Sequence, residues 1–107
     1  MNDSEFIALA DQTLKQLELA LEASDADLDC SMTSNGVLEI EFDDGGKIIV
    51  NRHAVAKEMW VAARSGGFHF RWDGSAWRDT RTGGELMAAL SDLVSAQSGT
   101  KVDLRNS

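Results

Sequence analysis

Positive charge is almost absent from the first 44 residues of this 107-residue chain, where Lys15 is the only cation against twelve acids. The remaining 63 residues carry nine bases and six acids, so the formal −8 joins a strongly negative half to a mildly positive one. Unmatched surface charge destabilises a compact state by self-repulsion, so the fold either tolerates that cost or keeps the charge for a cationic partner. The few Lys and Arg are scattered, which argues against the clustered phosphate contacts that nucleic acids require. Cysteine is scarce too. Cys30 alone can form neither an internal disulfide nor a thiolate metal cage, and suits a reducing cytoplasm. Apolar runs extend for only a few residues, and Asp3 and Glu5 stand where a targeting segment would be basic, so neither a membrane span nor a presequence is expected. What is present, 43% hydrophobic residues, suits one domain over residues 1–107 that buries about two-thirds of its unfolded surface.

The spacing of Asn2 and Glu5 predicts a helix start, and Phe6, Leu9, Ala10, Leu14, Leu17 and Leu21 recur at helical intervals for about five turns. At 100° per residue, Asp11, Lys15, Glu18, Glu22 and Asp25 form one stripe away from that apolar side. A solvated helix face is the plain reading of such a stripe; the like charges Glu18 and Glu22, four residues apart, make it a strained one. The period then drops to two. Leu28, Cys30 and Met32 alternate with Asp27, Asp29 and Ser31, and after Ser34-Asn35-Gly36 the residues Leu38, Ile40 and Phe42 alternate with Glu39 and Glu41. In the hairpin this implies, Thr33 faces Val37, so Asp29 faces Glu41 on the open side, a repulsive cross-strand pair. Residues 47–52 form a third strand, His53 to Lys57 a connector, 58–62 a fourth strand, Ser65-Gly66-Gly67 a turn, 68–72 a fifth strand and 76–79 a sixth. Thr82 and Glu85 have the spacing of a second capping box, before a helix carrying Leu86, Ala89, Leu90, Leu93 and Val94 and ended by Gly99. Val102 and Leu104 then lie back over the core. Short loops throughout imply an α+β two-layer sandwich, with the N- and C-terminal helices on one face of a roughly six-stranded antiparallel sheet. Its outer face would show Asp27, Asp29, Glu39, Glu41, Lys47, Asn51, Trp60, His69 and Arg71, with Trp60 exposed.

The segments MNDSEF at the start, DLDC at 27–30, FDDGGKIIVNR at 42–52, MWVA at 59–62 and SGGFHFRWDGSAW at 65–77 resemble the bacterial frataxins of the CyaY type over nearly the whole chain. Asn51, Trp60, Gly66, Phe70 and Trp77 occupy that family's signature positions. Val55 departs from a usual proline, and Glu58 from a usual glutamine. The resemblance implies an iron-binding regulator of iron–sulfur cluster assembly that docks on a cysteine desulfurase and its scaffold protein. Carried over by residue, the metal ridge is Asp3, Asp11, Glu18, Glu22, Asp25, Asp27 and Asp29. The partner contact is Glu18, Glu22, Asp25, Asn51 and Trp60.

Oxygen-only carboxylate sites suit hard cations, and an exposed ridge without imidazole or thiolate binds Fe²⁺ or Fe³⁺ weakly and exchangeably. His53 and His69 stand alone, without an HxxxH or CxxC partner, and read as surface residues. Cys30 reads as a small core residue. No nucleophile, base and orienter set is visible, so no enzyme is expected. The alternatives are an iron-oxidising or iron-storage protein, and a metal-independent acidic module that binds a basic protein. A monomer is expected, with an iron-dependent oligomer possible.

Overall fold

Helix α1 (Asp3–Glu22) begins where the capping box predicts it: Glu5 N–H donates to the Asn2 side chain at 2.8 Å, and Asn2 N–H donates to the Glu5 carboxylate at 3.1 Å. A computed structural model, describing residues 1–105, continues with β1 (Leu28–Thr33), β2 (Val37–Phe42), β3 (Lys47–His53), β4 (Glu58–Ala63), β5 (Gly66–Trp72), β6 (Trp77–Asp79) and α2 (Leu86–Ser98). The strands form one open antiparallel sheet in sequence order, as consecutive short connections require. Phe6, Leu14, Leu17 and Leu21 from α1 and Leu86, Leu90 and Val94 from α2 are buried with Leu38, Ile40, Ile48, Val50, Met59 and Phe70 from the inner sheet face. Each such side chain contributes about 1.5–3 kcal/mol by leaving water, so this shared layer holds both helices to the same side.

The hairpin register is the expected one: Thr33 pairs Val37, and Asp29 pairs Glu41. The repulsion is relieved from the other flank, because Glu41 also pairs Lys47, whose Nζ lies 2.7 Å from Glu39 and 4.0 Å from Glu41. Three local expectations change. His53 is the last residue of β3, paired with Glu58, rather than part of the connector. The β4–β5 turn is shorter, because Gly66 already pairs Ala63. The second capping box does not form. Gly83 takes a left-handed backbone at φ 79°, and a bridge to Arg78 keeps Glu85 extended. Glu85 is therefore the N-cap, its carboxylate accepting from Met87 and Ala88 N–H, while Thr82 Oγ1 accepts from Gly84 N–H. Gly99 ends α2 at φ 76°. Val102 and Leu104 lie buried against α2, their N–H groups donating to Ser95 and Ser91 at 2.8 Å.

Candidate docking and metal-binding surfaces

The acidic ridge divides into two halves that the sequence presents as one. Toward the N-terminus of α1 its carboxylates are paired by cations from distant segments. Asp3 meets Lys57 at 3.0 Å, and Asp11 receives the Arg52 guanidinium. The alternation Ile48, Val50, Arg52 turns Arg52 toward the helix layer, where its side chain is only 18% exposed. Gly36, at φ 76°, makes room for it; a Cβ there would stand 2.5 Å from the Arg52 Nη1. Glu18 is bridged by Lys15 at 3.0 Å, three residues away on the same helix.

The other half has no such partners. Among the described residues, Glu22, Asp25, Asp27 and Asp29 make no salt bridge, and the last turn of α1 carries no base. Glu22 is the last residue of α1, at the end where the helix dipole is itself negative. Field lines from this end reach the edge strand: burial pushes the half-buried Cys30 thiol up to about 11, with further help from Glu22, Glu18 and Asp29. A thiol so raised is protonated at neutral pH in the metal-free protein, and the exposed donors at this end are carboxylate oxygens. No three His, Cys, Asp or Glu among the described residues converge as a preformed metal site. The donor set fits a hard cation held by few protein ligands and retaining its water, hence loosely.

The second surface lies on the outer sheet face. Antiparallel register sets Asn51 beside Trp60, and Trp60 beside His69. Trp60 is not a free-standing exposed ring, as the alternation alone predicts. It is half-buried between two imidazoles, His53 at 3.8 Å and His69 at 4.6 Å between ring centroids, each within about 11° of parallel. Its Nε1–H donates to Glu58 Oε1 at 2.9 Å, and Arg71 Nη2 donates to Glu58 Oε2 at 2.7 Å. Burial pushes the Glu58 carboxyl up, but hydrogen bonds from Trp60 and Arg71 outweigh it and hold the group below its ordinary value. His69 Nδ1 is 3.6 Å from the same carboxylate, and His53 Nδ1 accepts from Ala56 N–H at 3.2 Å. Asn51 Nδ2 donates to the Arg52 carbonyl at 3.2 Å. Of this cluster the sequence reading places Asn51, Trp60, His69 and Arg71 on the outer face but assigns a partner contact to Asn51 and Trp60 only. The neighbouring roles of His53, Glu58 and Arg71 follow from register, which would have revealed them had β3–β5 been aligned as the first hairpin was.

A frataxin-like domain matches residues 1–100. The chain is 64% identical to the iron-sulfur cluster assembly protein CyaY of Dechloromonas aromatica (strain RCB), covering 98% of this chain and 100% of that one. A solved frataxin from Psychromonas ingrahamii superposes with a TM-score of 0.91 at 37% identity, covering 99% and 100% of the two chains. A trimeric frataxin from the yeast Saccharomyces cerevisiae, in a ferrous complex, gives 0.68 at 26% identity, over 90% and 87%. With the helix–sheet–helix order, the acidic first helix and the Asn51–Trp60 pair already in place, these matches leave one conclusion: the chain belongs to the frataxin-like family.

Proposed function

We propose that this protein serves iron–sulfur cluster assembly as a regulatory adaptor rather than an enzyme, carrying iron as exchangeable cargo and docking on a cysteine desulfurase and its scaffold protein in the cytoplasm. One observation carries the reading: among the described residues Glu22, Asp25, Asp27 and Asp29, at and just beyond the negative end of α1, make no salt bridge. Among the described residues the fold supplies Lys57 and Arg52 to the ridge's other half but no salt-bridging cation here, leaving a self-repulsion that an external cation would relieve. Support for iron comes from the ferrous complex of the yeast relative, and for the pathway from the name of the bacterial one. The ridge and the Asn51–Trp60 face lie on one protein of opposite charge tendencies, so a partner with a basic patch meets the ridge while an adjoining surface reaches the ring stack.

Anaerobic titration with Fe²⁺, followed by amide resonances, tests the cargo role. Shifts and broadening are expected at residues 18–29 and not at Asp3 or Asp11. Amides that all stay in place would favour a metal-independent acidic module, and catalytic turnover of ferrous iron under air would favour an oxidase. Reversing Glu18 and Glu22 to Lys tests docking. The helix is expected to remain folded, and desulfurase affinity to fall steeply and lose its salt dependence, because such charges act on encounter.

A further inference from the structure

A carboxylate almost wholly buried on the open side of a sheet needs a reason. Glu58 is 6% exposed, and burying a charge is costly unless it is paired and hydrogen-bonded. Its oxygens are engaged by the Trp60 Nε1–H at 2.9 Å and by Arg71 Nη2 at 2.7 Å. The Trp60 ring is thereby constrained in each direction it could move: its faces by His53 and His69, its polar edge by Glu58. We propose that Glu58 is the positioning residue of the Trp60 contact, its carboxylate, oriented by Arg71, holding the indole in the pose a partner meets. This rests on the reading that the sheet face docks. The arrangement also defines what such a partner offers. The indole donor is consumed internally, so the ring presents only apolar edge, and polar recognition falls to Asn51 beside it and to His69 and Arg71, whose side chains are 50% and 66% exposed. An apolar side chain flanked by a hydrogen-bond acceptor fits that surface. A ring already posed spares the partner the cost of ordering it, and losing the pose weakens binding by about three- to tenfold.

The test uses Glu58→Ala, Glu58→Gln, Trp60→Ala and the Glu58→Ala/Trp60→Ala double variant. Two readouts are taken: the indole N–H resonances of the free protein, and affinity for a purified bacterial cysteine desulfurase with its scaffold. The Trp60 resonance is the one lost in Trp60→Ala. In Glu58→Ala it should move toward that of a solvated indole and exchange faster, affinity should fall three- to tenfold, and the double variant should bind little worse than Trp60→Ala alone. Glu58→Gln keeps an oxygen for the indole but must face its amide N–H₂ toward Arg71 or His69, so it should fall between; it carries the test if the alanine variant does not fold. An unmoved Trp60 resonance, or losses that simply add, would overturn the positioning role alone. Trp60→Ala binding like the parent would overturn the docking reading and the proposal with it.

Discussion

The ridge end and the ring stack solve opposite electrostatic problems. Glu22, Asp25, Asp27 and Asp29 are exposed and make no salt bridge among the described residues, whereas at Glu58 a single charge is buried and its oxygens are engaged by Trp60 and Arg71. No three ligand side chains among the described residues converge at the ridge end, whereas the indole of Trp60 is held by its neighbours. On the proposed reading, one surface would serve exchange and steering and the other a fixed contact.

The comparison can be sharpened first with tryptophan. Trp77 is 3% exposed, packs edge-on against Phe6 and donates to Thr13 Oγ1 at 3.0 Å, so Trp77→Ala should cost about 3–5 kcal/mol. Trp60→Ala leaves no closed cavity and should cost less than about 2 kcal/mol. Chemical denaturation decides it, and equal losses would make Trp60 part of the core. Next, Arg52→Ala removes the cation that anchors Asp11 and should cost on the order of 1–2 kcal/mol, as hydrogen bonds to charged groups do. At the unpaired end the sign should reverse. Glu22→Gln with Asp25→Asn should raise metal-free stability by a few tenths of a kcal/mol and flatten the rise in melting temperature with added Fe²⁺. Salt should mimic part of that rise in the parent, since screening at physiological ionic strength acts beyond about 8 Å. A less stable double variant with an intact iron response would move the cation site elsewhere.

The smallest expected effect is in acid. Glu58 is held below its ordinary value of 4.5. Asp79 is held below 3.8, chiefly by the Arg81 N–H and also by that of Thr82, against the upward push of burial. A group lowered in the fold stabilises it fully above its ordinary value and stops doing so as pH falls through the folded one. Stability should therefore decline as pH falls below about 4.5, and Glu58→Gln or Asp79→Asn should shallow that decline. Melting temperatures between pH 3 and 7 measure it; a parallel fall in parent and variants would assign acid sensitivity to other carboxylates.

Local pattern was enough for α1, with its Asn2 cap and buried Phe6–Leu21 stripe, and for the β1–β2 register, because periods of 3.6 and 2 are properties of neighbouring residues. It was not enough for the start of α2. The Thr82–Glu85 spacing mimics a capping box, and only the left-handed Gly83 and the Arg78–Glu85 bridge make Glu85 the cap. The sequence alone determined the helix–sheet–helix order, the segregation of acid into the first 44 residues and the family the chain joins. Tertiary structure decided which acids remain unpaired, since Arg52 and Lys57 lie some forty and fifty residues from the carboxylates they meet. It also decided that Trp60 is clamped rather than bare. Charge pairing and ring stacking act through space at a few ångströms, and chain separation does not reveal which side chains folding brings that close.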